Sequence, residues 1–329
     1  MKTLYLALLL AASAAHALSD SEKETLMTTA KQAYAQQDYA TALEKWQTLA
    51  ETGDAAAQYN LGNLYGKGRG VAQDYGQARA WWEKAAAQGD ADAQHNLSIL
   101  YDNGWGIAQD YGQARAWYEK SAAQGNAIAQ YNLGDLYYKG LGVPQDYAKA
   151  REWTEKSAIQ GHAAAQFNLG FLYENGQGIT QDYAQARAWY KKAAAQGDAD
   201  AQYNLGVFYE EGKGVTQDYD QARAWYEKAA AQGHARAQYN LGVLYNKGRG
   251  VVQDYAQART WYEKAAVQGH AKAQFNLGAL YENGQGITRD YDKARAWYEK
   301  VAAQTDDQEA QQAAQQVLQD LDKTGNNKP

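Results

Sequence analysis

Cysteine is absent from the whole sequence. Disulfides, thiolate metal sites and a lipid-attachment thiol of the bacterial lipoprotein type are therefore excluded. A basic excess is missing as well. The chain has 32 Lys and Arg against 38 Asp and Glu, a formal net charge of −6. Nucleic-acid backbones are held by clustered cations in excess, so no nucleic-acid partner is expected. Past residue 18 no apolar run approaches the roughly 20 residues that a membrane-spanning helix requires. Histidine is scarce beyond residue 17: His95, His162, His234 and His270 contain no His-x-x-x-His pair, so neither a zinc site nor any cofactor is expected.

The first 17 residues, "MKTLYLALLLAASAAHA", carry one cation at Lys2, an apolar run from Leu4 to Ala12, and small residues at Ala15 and Ala17. That order is the pattern of a secretory signal peptide with an A-x-A cleavage site. The expectation is cleavage near Ala17 and a periplasmic or secreted protein.

What the sequence does contain is one sentence written seven times. Gln recurs at 58, 94, 130, 166, 202, 238 and 274, and Trp at 81, 117, 153, 189, 225, 261 and 297, each step being 36 residues. Each copy reads as two helices. In the first copy Ala57, Leu61, Leu64 and Tyr65 form one amphipathic stripe, and Ala78, Trp81, Trp82, Ala85 and Ala86 form the other. Between them "GKGRGVAQD" is too rich in glycine to be helical. Asp74, with Asp at 110, 146, 182, 218, 254 and 290, precedes each second helix as an N-cap. Pro144 stands just outside one such helix, where it does no harm. Gly62 lies inside the first helix at a cost of roughly 1 kcal/mol, so close helix–helix approach is expected there; Ser98 is its one replacement.

A two-helix unit this small cannot bury its own apolar faces, and stacking on the next unit is the simplest remedy. The pattern A-x-A-Q-x-N-L-G-x-L-Y-x-x-G-x-G-V-x-Q-D-Y-x-x-A-R-x-W-Y-E-K-A-A-x-Q-G, read at 235–269, resembles the Sel1-like repeat family, a longer-looped relative of the tetratricopeptide repeat. The resemblance implies an all-α, right-handed α-solenoid of stacked antiparallel helix pairs. It also implies a protein-binding role: envelope scaffold, periplasmic regulator of receptors, or factor meeting host proteins including antibody. Some cysteine-rich relatives are associated with β-lactamase or penicillin-binding behaviour, which leaves a β-lactamase-like or peptidoglycan-binding cell-wall protein as the alternative. No mature serine here has Lys three residues later, as such an enzyme would want.

The expected organisation is a signal peptide at 1–17, a capping helix pair at 18–53, seven repeats at 54–304, a capping helix at 305–322 and a disordered tail at 323–329. Ser19 with Glu22 makes a capping box for the first helix.

Residues shared by all copies are read as construction. The Trp series is expected in the core between repeats. The ladder Arg79, Arg115, Arg151, Arg187, Arg223, Arg259 and Arg295 is expected to pair with carboxylates, usually Glu four residues on, though Lys191 breaks the series. Recognition is sought where copies differ. Trp105 and Leu141 are large and apolar in a loop that is otherwise polar; Tyr138 and Ile128 are unusual for their positions in the same stretch. These four are the expected docking patch, because buried aromatic anchors dominate interfaces. Phe171, Val207 and Val243 on the first helices are a second candidate surface. No catalytic residue is expected, and the partner is expected to be another protein.

Overall fold

The computed structural model describes residues 18–324; the expected signal peptide and residues 325–329 of the expected tail lie outside the described residues. Among the described residues all regular structure is helical. The chain divides into two compact units at Gln160. The first holds α1 (Asp20–Ala35), α2 (Tyr39–Glu51), α3 (Ala55–Lys67), α4 (Tyr75–Ala87), α5 (Ala91–Asn103), α6 (Tyr111–Ala123), α7 (Ala127–Lys139) and α8 (Tyr147–Ile159). The second holds α9 (Ala163–Asn175), α10 (Tyr183–Ala195), α11 (Ala199–Glu211), α12 (Tyr219–Ala231), α13 (Ala235–Lys247), α14 (Tyr255–Val267), α15 (Ala271–Asn283), α16 (Tyr291–Ala302) and α17 (Gln308–Thr324). This is an all-α solenoid with the 36-residue period of the sequence. The closing helix begins at Gln308 and includes Lys323 and Thr324, two residues assigned above to the tail.

Local chemistry sets the helix starts. Each lattice Asp accepts a hydrogen bond from the backbone N–H three residues on, as Asp74 does from Gln77 at 2.9 Å and Asp218 from Gln221 at 3.0 Å. Ser19 and Glu22 close the reciprocal box: Glu22 N–H donates to Ser19 Oγ, and Ser19 N–H donates to the Glu22 carboxylate. These bonds satisfy donors that the first helical turn leaves unpaired.

The core clusters reach from each module into the next, so no module is closed on its own. In the second unit, Ala222, Tyr226, Ala229 and Ala230 of α12 pack on Ala237, Leu241 and Leu244 of α13, the first helix of the next repeat. In the first unit, Trp82 and Ala85 of α4 pack likewise on Leu97 and Leu100 of α5. Close approach inside each pair depends on the helical glycine. A Cβ on Gly242 would stand 2.4 Å from the Tyr262 ring of α14, and one on Gly62 would stand 2.5 Å from the Trp82 indole.

A glutamine spine crosses the joints within each unit. Gln238 is 5% exposed; its Nε2 donates to Ala230 O at 3.2 Å, and its Oε1 accepts from Gln268 at 2.8 Å. One side chain thus ties α13 to α12 before it and to the end of α14 after it. Gln58, Gln94, Gln130, Gln202 and Gln274 bond in the same way to the preceding helix. Buried amides are tolerated because both ends are satisfied.

The lattice tryptophans need a correction. They are half-buried, not core: Trp81, Trp117, Trp225, Trp261 and Trp297 each lie against the preceding core cluster, while a lysine three residues on covers the ring at 3.6–4.1 Å throughout the series. The fully buried aromatic is the next residue along: Tyr118, Tyr190, Tyr226, Tyr262 and Tyr298. The arginine ladder behaves as expected, with Arg79–Glu83 at 3.6 Å and Arg151–Glu155 at 2.5 Å among six such pairs.

His162, His234 and His270 replace Asp or Asn as N-caps of α9, α13 and α15, and ring Nδ1 accepts the N–H of Ala165, Ala237 and Ala273 at 3.2, 3.1 and 3.3 Å. Only a neutral ring can accept there. Burial holds His162 and His270 below the ordinary imidazole value; Arg236 adds to the effect at His270 and Asp307 opposes it. A lowered folded-state pKa means that the unfolded chain binds the proton more readily, so the stabilisation is complete above the unfolded value of about 6.5 and is lost as pH falls below it through the lower folded-state value. Acidification from pH 7.5 to 5 should therefore lower the unfolding midpoint. Replacing His270 by Asn, a non-titrating cap, should remove about 1 kcal/mol of that loss. An unchanged pH slope in urea unfolding would contradict it.

Candidate functional site: an aromatic cleft at the first two repeats

Two lattice positions explain how a site arises. Four copies pair a buried Tyr hydroxyl with a carboxylate: Tyr118 donates to Asp102 at 3.0 Å, Tyr190 to Glu174 at 2.7 Å, Tyr226 to Glu210 at 2.6 Å and Tyr298 to Glu282 at 2.7 Å. Burial and the adjacent carboxylate push these phenols upward, so they stay protonated donors. In the first repeat the pair becomes Trp82 and Gly66. The longer indole needs the room, since a Cβ on Gly66 would lie 3.0 Å from Trp82 Cη2. In the third repeat the large and small partners trade places, as Tyr138 and Thr154.

A second exchange sits above the first. Lys213, in the loop after α11, reaches back to Glu174 of the preceding repeat at 3.5 Å and to Glu211 at 2.9 Å. The residues at the same lattice positions three repeats earlier, in the chain's first unit, are Trp105 and Gly66. An ion pair is thereby replaced by an indole facing a glycine. Trp105 stacks on Tyr75, with ring centroids 5.6 Å apart and planes 27° apart, and stays 46% exposed. A cleft of about 470 Å³ opens there, lined by Tyr59, Asn63, Trp82, Asn96, Ile99 and Trp105, with Lys67 and Arg69 among its walls. Asn96 Nδ2 donates to Asn63 Oδ1 at 2.8 Å across the two repeats. The Arg69 guanidinium lies 5.5 and 5.3 Å from the Tyr34 and Tyr39 ring centroids and donates to the Tyr34 hydroxyl.

The expected patch is only partly assembled. Trp105 faces the cleft. Leu141 and Tyr138 are half-buried against the core made by α6 and α7, and the Tyr138 ring lies 5.3 Å from that of Tyr147. Their odd identities serve local packing, because Thr154 is too small to fill the space a tyrosine occupies in other copies. Ile128 is 48% exposed, but it stands at the start of α7, about 15 Å along the helix axis from Tyr138. Phe171 is exposed, whereas Val207 and Val243 are half-buried against the clusters of their own joints. They share a helix position with Ile99, which does line the cleft. Sequence reasoning missed Tyr75, Lys67 and the Trp82–Gly66 exchange; comparing copies at the positions of Gly66 and Trp82 would have exposed the last.

Among the described residues no group of three His, Asp or Glu side chains is arranged to hold a metal. Ser98, Ser121 and Ser157 are buried, donating to the carbonyls of His95, Ala91 and Ala127 at 2.5, 2.7 and 2.7 Å. No described helix is long and apolar enough to cross a membrane.

Stacked helix pairs with a constant joint and a varied surface define a helical-repeat protein. The Sel1 repeat model matches seven consecutive segments, 55–90, 91–126, 127–162, 163–198, 199–234, 235–270 and 271–306. The chain belongs to the Sel1 repeat family. Among solved structures, a protective antigen present in uropathogenic Escherichia coli strains, displaying an SLR fold, is 39% identical with a TM-score of 0.79. That match covers 85% of this chain but 59% of the other, so this chain spans less than two thirds of that protein. A Sel1 repeat protein from Oxalobacter formigenes is 35% identical with a TM-score of 0.68, over 88% of this chain and 90% of that one. No curated protein matches.

Proposed function

We propose that this Sel1 repeat protein is exported and docks another protein through the cleft at its first two repeats, as a scaffold or regulator in the bacterial cell envelope. The observation that carries the docking reading is Trp105, a large ring left half open beside a cleft, at a position where Lys213 closes its own joint with an ion pair. A preordered surface loses little conformational entropy on binding. Two things support export: the leader-like order of residues 1–17 and the likeness to a protein described as a protective antigen. Catalysis forms no part of the reading.

Crosslinking in the native cell, followed by identification of captured proteins, tests it. One dominant partner should be captured from the periplasmic or extracellular fraction, by a chain whose mass fits cleavage after Ala17. Trp105→Glu should abolish capture, while Ile159→Glu, a change at another exposed apolar residue, should not. Capture that survives Trp105→Glu, or an uncleaved cytoplasmic chain, would count against the corresponding half of the proposal.

A further inference from the structure

We infer that the cleft takes an acidic segment of the partner protein that carries one aromatic side chain, the ring stacking on Trp105 and the flanking carboxylates meeting Lys67 and Arg69. This deepens the docking reading and rests on it.

Charge is the first ground. Lys139, the counterpart of Lys67, is neutralised by Asp135 at 2.7 Å, and Lys213, the counterpart of Arg69, by Glu174 and Glu211. Around the cleft every one of those acids is replaced. Asn63 stands where Asp135 would be, Lys67 where Glu211 would be, and Tyr34, whose neutral hydroxyl accepts from Arg69, where Glu174 would be. Two cations are therefore left beside one cleft without a carboxylate, in a chain whose net charge is −6. Lys247 and Arg249 repeat the pair, Arg249 lying over the Tyr219 ring, but Gln285 stands there in the place of Trp105. Only at the first joint do the two cations flank an exposed indole, and there a ligand can supply the anion.

Shape is the second ground. Trp105 is held by its stack on Tyr75, yet it is 46% exposed and lines the cleft, which offers a stacking platform for a flat side chain. The volume of about 470 Å³ lies within the roughly 300–1,000 Å³ usual for ligand clefts. Asn63 and Asn96 place amides in the wall, suited to a peptide backbone. A glycan would also stack on an exposed indole, but it makes no use of two uncompensated cations.

The test uses the full chain and a capped peptide with a central phenylalanine flanked by aspartates, titrated calorimetrically. Two control peptides replace phenylalanine by alanine or the aspartates by lysines, and a chito-oligosaccharide serves as the glycan probe. The acidic aromatic peptide should bind saturably. Trp105→Ala, Lys67→Glu and each control peptide should weaken binding by about tenfold or more, and about 0.5 M salt should weaken it too. Circular dichroism and the thermal midpoint establish that the variants are folded; Lys67 is exposed, so Lys67→Glu tests charge without touching the core. Equal binding of the lysine peptide, indifference to Lys67→Glu, or binding of the oligosaccharide in place of the peptide would overturn the inference. If the peptide fails while Trp105→Ala still abolishes capture in cells, the ligand chemistry is wrong and the docking site stands. If capture survives Trp105→Ala, the docking site itself is wrong.

Discussion

Valine in place of Gly242 is expected to destabilise the second unit by about 2–3 kcal/mol, the range of overpacking in a closed core. The reason is geometric. The first added carbon would stand 2.4 Å from Tyr262 Cε1 and 2.5 Å from Cδ1, and that ring is fully buried with no room to retreat. Helix propensity runs the other way, since glycine inside a helix costs roughly 1 kcal/mol relative to alanine; an exposed Gly→Ala change would therefore stabilise. A destabilised variant thus separates packing from propensity. Urea unfolding followed by tryptophan fluorescence measures it, with Val252→Ser, at a residue 89% exposed, as a control expected within about 0.5 kcal/mol of the parent. A neutral or stabilising Gly242→Val would show that the helices of this repeat do not need to touch.

Gln238→Leu is the second large effect. The substitution keeps the volume and removes the amide, so Ala230 O and Gln268 Nε2 each lose a partner bonded at 3.2 and 2.8 Å. A buried polar group left unsatisfied costs about 1–3 kcal/mol. Leucine returns some apolar burial and Gln268 can turn toward water, so a net loss of about 2 kcal/mol is expected in the same urea experiment. Replacing Gln268 as well should add much less than its single effect, because the two side chains share one bond. Strict additivity of the pair would mean that the spine is not a connected network.

Much of this architecture is legible in the sequence because it rests on local spacing. The 36-residue step gives the module count, the Asp series gives the starts of the second helices, and the Ser19–Glu22 box gives the first helix. The last two follow from contacts between residues three apart. What escaped depends on which side of a helix meets the next module. Trp81 and Trp82 differ by about 100° around the helix axis, and both fit one apolar stripe. Only the packed structure shows that the second is core and the first a lysine-covered flank. Leu141 and Tyr138 looked like a surface patch because each is large for its position; the matching Thr154 lies on the partner helix, where only tertiary contact reveals the exchange. Trp105 was legible as an oddity, but its cleft was not. The cleft comes from a glycine and an indole in the previous repeat, and neither is unusual taken alone. Gln238 and its counterparts were visible as a period, yet their work lies at a joint between modules, where no local pattern points.

The idea that each module stands on its neighbours is tested most directly by hydrogen exchange on the full chain carrying Gly242→Val. Helices α12, α13 and α14, which share the altered joint, should lose protection first and most. Within the same unit α10, a joint removed, should keep far more of its own. Equal loss in one step from α9 through α17 would contradict the account, for it would mean a single undivided core; so would protection in α13 and α14 that does not change at all.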